Sequence, residues 1–186
     1  DRGFDRYDDA LTSMRERTAE ETFSRARVWL QWLEPGRSMF LFFHLFDPHY
    51  PYSPPEAFAR RFLPAGDDRT ASPPYPELKA LRTKGLGPGE IRAYEDRDDG
   101  EILYADEYVG RLLEELVRMG IYDRSLIIVL SDHGETLGER PWIFDHGCRL
   151  YEEQVRVPLV IRFPGGRHGG RRSAADVHHV DIVPTV

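Results

Sequence analysis

The sequence predicts an α/β fold, a mostly parallel sheet flanked by helices, on three observations. Apolar runs of strand length occur at 38–46, 125–130 and 157–163. Two stretches of helical periodicity precede the second run, and the connecting loops are long. Unbroken apolar strands suit a sheet covered on both faces, as parallel strands usually are. In such sheets ligands bind beyond the carboxyl ends of the strands, which directs attention to the loops after the first two runs.

Taken in order, residues from about 19 to 34 repeat Phe23, Ala26, Arg27, Leu30 and Leu33 at helical spacing, and Pro35-Gly36 stops the helix. The run from Ser38 to Phe46 is short and aromatic, which favours a buried strand. A long irregular loop follows over about 47–96 and holds most of the prolines. A second helix is expected from Arg97 to Met119, with Ile102, Ala105, Val109, Leu112, Leu113 and Leu116 on one face and Gly120 as its stop. Ser125–Leu130 reads as a covered strand, Ser131–Arg149 as a Gly-, Asp- and His-rich loop, and Val157–Phe163 as a third strand. Asp181 then caps a helix start with Pro184 in its first turn.

The 186 residues are enough for one domain, and 40% of them are apolar. A formal charge of −7 supplies no general basic field, so neither nucleic acid nor an anionic membrane is an expected partner. No apolar run has the roughly 20 residues of a membrane span. The opening residues do not read as a signal peptide. Cys148 is the single cysteine, which excludes an internal disulfide and a cysteine metal cluster but leaves the compartment open.

The residue pattern Ser131-Asp132-His133-Gly134-Glu135 delivers a carboxylate and an imidazole into a glycine turn at a strand end. Asp offers hard oxygen and neutral His offers nitrogen to a cation, while Gly permits the sharp turn. An Asp cap beside a surface His is the plainer alternative. Asp47-Pro48-His49 occupies the same position after the first run, and an imidazole there suits proton transfer or ester contact. His44, inside that run, reads as a hydrogen-bonded core residue. Asp8-Asp9, Asp67-Asp68 and Asp98-Asp99 read as solvated turns, and the His178-His179 pair as strand neighbours pointing apart.

Five ordered segments carry a family resemblance: 44–52, 104–113, 130–135, 150–159 and 179–185. They read HLFDPHYPY, YADEYVGRLL, LSDHGE, LYEEQVRVPL and HVDIVPT, and together resemble the sulfatase family of the alkaline phosphatase superfamily. The resemblance implies an alkaline phosphatase-like fold and a metal-dependent sulfuric ester hydrolase acting on a sulfate-ester small molecule or glycan. It implies metal ligation by Asp132 and His133, with calcium first and Mn²⁺ or Zn²⁺ as alternatives, because His is a poor ligand for a hard cation. His133 could instead hydrogen-bond the ester. His49 and His146 are implied as catalytic and substrate-binding residues, with Asp145 orienting His146. At His146 the pattern departs, since the family's usual lysine position is Gly147. Tyr151 and Arg156 are expected to anchor the third strand. A periplasmic or secreted setting fits the family, and nothing bears on oligomeric state.

The family's nucleophile, a formylglycine made from Cys or Ser in a Cys/Ser-x-Pro/Ala-x-Arg pattern, has no counterpart here. Cys148 is followed by Arg149-Leu150-Tyr151 and does not fit. The family's early Asp pair is also missing. The expectation is therefore a partial catalytic domain over 1–186, truncated at both ends, which alone binds metal weakly and turns over nothing. Two alternatives stay open. One is a phosphodiesterase or phosphonate monoester hydrolase of the same superfamily, and the other is a degenerate, non-catalytic binding domain.

Overall fold

The fold is that of a computed structural model, which describes residues 3–10, 16–68, 80, 83–140, 146–147 and 149–186. It divides into two compact units, Asp1–Glu115 and Leu116–Val186. No helix among the described residues is long and apolar enough to cross a membrane.

In the first unit, α1 spans Ala19–Gln31 and begins with a capping box between Thr18 and Glu21. It buries Ala19, Ala26 and Leu30. Full burial of a residue such as Leu30 contributes about 1.5–3 kcal/mol. The helix ends at Trp32, before the expected Pro35-Gly36 stop. A short helix α2 covers Glu56–Ala59. The long helix α3 runs Pro88–Arg118, so it starts nine residues before the expected Arg97 and cuts the predicted irregular loop short. Its start is marked chemically: Pro88 occupies the first turn and the Glu90 carboxylate accepts the Gly87 N–H at 2.8 Å. The first turns of α3 bury Asp96, Arg97, Asp98 and Glu101 beside Ala93 and Tyr94, so a buried polar face replaces the apolar stripe that periodicity detects. Asp98 is thus a buried helix residue rather than a solvated turn.

The packed face of α3 carries Tyr104, Tyr108 and Leu112, whereas Ile102, expected inside, is 48% exposed. Tyr104 and Tyr108 join Ala19 in a cluster flanked by Phe23, Leu45 and Phe58. The Tyr104 ring meets Phe58 and Tyr108 edge-on, each at 5.0 Å. Gly100 is required here, because a Cβ would press on the Pro54 ring at 2.9 Å and on the Ala59 backbone at 3.4 Å. That close approach seats the segment leading into α2 against α3, and with it the turn that carries His49.

The expected first strand has no ladder partner among the described residues. Over 40–44 the burial alternates with the period of an extended chain: Phe40, Phe42 and His44 are exposed while Leu41 and Phe43 are half-buried. His44 is therefore not a core residue; its ring lies between Phe42 and Phe46 on the exposed side. Asp8 also departs from the solvated-turn expectation, since its carboxylate accepts from Arg17 at 2.8 Å and Arg25 at 3.3 Å.

In the second unit, β1 (Ile127–Leu130) pairs with β2 (Leu159–Arg162) in an antiparallel two-stranded sheet. This corrects the parallel expectation for the strands described. It also corrects full coverage, because Val129 and Leu130 are about two-fifths exposed (41% and 40%). The register sets Leu130 opposite Leu159, so the chain leaves and re-enters the sheet at one edge. Arg162 closes the opposite end: its guanidinium donates to the Tyr122 carbonyl and the Asp123 carboxylate, both at 2.9 Å, and lies 3.9 Å over the Tyr122 ring. Between the strands lies a short helix α4 (Glu152–Val155), and α5 (Ile182–Thr185) follows a tight turn at His179–Asp181. His178 and His179 are consequently not strand neighbours.

Candidate active site

The antiparallel pair determines the loop geometry after β1. Gly134 donates its N–H to the Gln154 carbonyl at 2.8 Å, which draws α4 against the Asp132–Gly134 turn. A Cβ at Gly134 would clash with the Glu153 carbonyl oxygen, so only glycine allows this approach. Beneath the turn, the Gln154 amide donates to the Thr136 hydroxyl at 2.7 Å, and both residues are buried. Arg140 completes the support. Its guanidinium pairs with Glu153 at 2.6 Å and lies 4.4 Å over the Tyr151 ring. Bonding to Arg140 holds the Glu153 carboxyl below the ordinary carboxylate value.

On this frame Asp132 projects into solvent, 77% exposed, while one of its oxygens accepts the His133 N–H at 3.0 Å. His133 directs Nδ1 to the Gly134 carbonyl at 2.9 Å. A carbonyl only accepts, so Nδ1 carries hydrogen and a neutral ring keeps its lone pair on Nε2. That nitrogen lies 3.9 Å from Asp132 Oδ2. The separation is within the span of two bonds to one cation, which for zinc are about 2.1 Å to nitrogen and about 2.1 Å to oxygen. A backbone carbonyl on the other ring nitrogen is also the usual partner of a metal-binding imidazole. The pair therefore fits as part of a ligand set. Among the described residues no group of three or more His, Cys, Asp or Glu side chains is gathered to hold an ion.

His146 joins the same cluster. Its ring stacks on His133 with centroids 4.2 Å apart and planes 22° apart, and its Nδ1 lies 3.2 Å from Glu135 Oε2. Asp145, expected to orient it, and Cys148 lie outside the described residues. Glu135 was not singled out in the sequence, although its place two residues after His133 in the same turn is a usable signal. His179 was missed as well. Its Nε2 donates to the Ser131 carbonyl at 2.8 Å, and Ser131 in turn donates its hydroxyl to the His133 carbonyl at 2.6 Å. The turn bearing Asp132 is thus tied from both sides.

His49 belongs to the other unit. The peptide bonds Asp47-Pro48 and Tyr50-Pro51 on either side of it are cis. Its Nδ1 donates to the Tyr50 carbonyl at 2.6 Å, and Phe46 packs edge-on against the ring at 4.5 Å. Glu16 Oε2 stands 4.0 Å from Nδ1, and burial raises the Glu16 carboxyl above its ordinary value. Glu101 on α3 accepts the backbone N–H of His49 at 3.1 Å and of Ser53 at 2.6 Å. Burial pushes its carboxyl up to about 8, against those two bonds and with help from Asp47 and Asp98. Asp47 is itself raised by burial.

Several known proteins are similar to this chain in part of its sequence or in its fold. An N-acetylglucosamine-6-O-sulfatase of Bacteroides thetaiotaomicron is 43% identical over 84 residues, 45% of this chain and 15% of that protein. The multifunctional alkaline phosphatase superfamily protein PehA of Trinickia caryophylli is 36% identical over 102 residues, 54% of this chain and 20% of its own. The chain therefore spans a fifth or less of these two curated relatives. Among solved structures, a protein in complex with its substrate D-glucosamine-2-N,6-O-disulfate superposes with TM-score 0.61 at 21% identity, over 79% of this chain and 43% of that one. The phosphonate monoester hydrolase of Agrobacterium radiobacter gives TM-score 0.56 at 26% identity, over 80% and 34%. These neighbours share a sulfatase-like fold. The family model described as sulfatase matches residues 5–186, and a match that runs through nearly every element above means that the chain belongs to the sulfatase family.

Proposed function

We propose that this chain is part of a catalytic domain that hydrolyses a sulfate ester of a small molecule or glycan in the full-length protein. The observation that carries the reading is the grouping of Asp132, His133, His146 and Glu135 at one sheet edge of a chain that belongs to the sulfatase family. Asp132 and His133 would contribute to holding a divalent cation, calcium first, with Mn²⁺ or Zn²⁺ suiting the imidazole better. A cation so held polarises the ester oxygens. His146, paired with Glu135, would contact an anionic ester, and His49 would act in ester contact or proton transfer at Nε2. The nucleophile is not assigned to any residue of this chain. Both units are read as parts of one catalytic domain, and the extended 38–46 segment as a strand of a larger, mostly parallel sheet.

The test is sulfate release by the full-length protein from aryl and sugar sulfates with Ca²⁺, Mn²⁺ or Zn²⁺, together with mass spectrometry for formylglycine. Release of sulfate supports the reading; a folded, metal-loaded protein inert toward every ester would favour a non-catalytic binding role. A second reading, hydrolysis of phosphonate monoesters or phosphodiesters, draws support from the phosphonate monoester hydrolase neighbour. Faster turnover of an aryl phosphonate than of an aryl sulfate would select it.

A further inference from the structure

Glu101 is only 4% exposed, yet it packs beside Tyr104 on the face of α3 that meets the His49 segment. Its two carboxyl oxygens are divided between two backbone donors, His49 N–H at 3.1 Å and Ser53 N–H at 2.6 Å. Those donors are the two ends of one turn. Between them Pro51 has no N–H to offer and Tyr52 is buried at 1% exposure, so the turn is gripped at its ends and plugged at its middle. The helix below is brought within reach by Gly100, one residue earlier. A buried carboxyl is costly, and one spent on two loop amides fixes a backbone that has no ladder of its own.

We propose that Glu101 is a positioning residue, which sets the place of the His49 imidazole by tying both ends of the His49–Ser53 turn to α3. The inference rests on the role proposed above for His49. With the turn fixed, His49 Nδ1 stays on the Tyr50 carbonyl, and the ring presents Nε2 in one orientation. Glutamine cannot replace this function, because its NH₂ would face one of the two amide donors. Aspartate is one carbon short of reaching both.

The experiment is a double-mutant cycle in the full-length protein with a nitrophenyl sulfate as probe, with histidine-selective NMR on the same samples. His49→Ala, Glu101→Gln and the double variant are compared with the parent. Misplacement of a reacting group costs about tenfold to a hundredfold in turnover, so Glu101→Gln is expected to lose that much in kcat with KM little changed. In the His49→Ala background the same change is expected to have no further effect. Equal losses in both backgrounds, or no loss at all, would overturn the inference. If His49→Ala alone leaves turnover intact, the role of His49 fails instead, and the cycle shows which. The NMR readout does not depend on activity: the His49 ring should hold one Nδ1–H tautomer in the parent and mix tautomers in Glu101→Gln. An unchanged ring signal would also overturn the inference. If Glu101→Gln does not accumulate as folded protein, Glu101→Asp enters the same measurements with an intermediate loss expected. Failure of both to fold would make Glu101 a stability residue and overturn the positioning role.

Discussion

The imidazole of His133 lies nearly flat on that of His146, 4.2 Å away, while Glu135 holds the far ring by Nδ1. The stack makes each ring part of the other's packing, so loss of His146 also removes a wall of the His133 ring. In the full-length protein, His146→Ala should lower turnover about a hundredfold, and Glu135→Gln should produce part of the same loss. Asp132→Asn should weaken cation affinity about tenfold or more, read by calorimetry. Full activity in Asp132→Asn would remove Asp132 from the metal site.

Gly134→Ala should destabilise the second unit by about 1–3 kcal/mol or more, because the added methyl meets the Glu153 carbonyl backbone rather than a movable side chain. Thermal unfolding checks this, and a melting curve that overlays the parent would mean that α4 sits farther from the turn.

Thr136→Val keeps the shape of a buried residue but takes away the hydroxyl that accepts from Gln154. The expected cost is about 1–3 kcal/mol in urea unfolding. A matching Gln154→Leu change should recover part of it, and an additive double variant would argue against the bond.

The Glu101 carboxyl titrates near pH 8 when folded, against an ordinary value of 4.5, chiefly through burial. The folded chain therefore holds this proton more tightly than the unfolded one. The resulting stabilisation is fully present below about pH 4.5 and fades as pH rises through about 8. Asp47 and Asp98 stand near it and add repulsion as the carboxyl ionises. The stability difference between the parent and Glu101→Gln, measured by urea midpoints across that range, should shrink as pH rises. A difference that grows with pH would mean that Glu101 is ionised throughout.

The turn after β1 was more legible in the sequence than the start of α3 or the turn before α5. The placement of Asp132, His133 and Gly134 was legible because an apolar strand ending in a glycine turn leaves few other positions for them. The contact of His146 with Glu135 was not legible, since pairing across a loop has no spacing rule. The start of α3 escaped because Asp96, Arg97, Asp98 and Glu101 are polar and buried together, which reverses the usual meaning of polarity. His44 was misplaced for a related reason: the alternation in 40–44 was hidden within uniformly apolar residues. His179 was invisible because its bond spans from the far end of the chain to Ser131.

The pairing of Leu130 with Leu159 gives the excursion between them a fixed doorway. Residues near the doorway, Asp132 to Gly134 on one side and Glu153 to Gln154 on the other, are fastened to each other by the Gly134–Gln154 backbone bond, and Arg140 and His146 brace them from within the excursion. Because a one-residue slip in that register would reverse every side chain of the slipped strand, the placement of Asp132 and His133 is tied to the pairing itself.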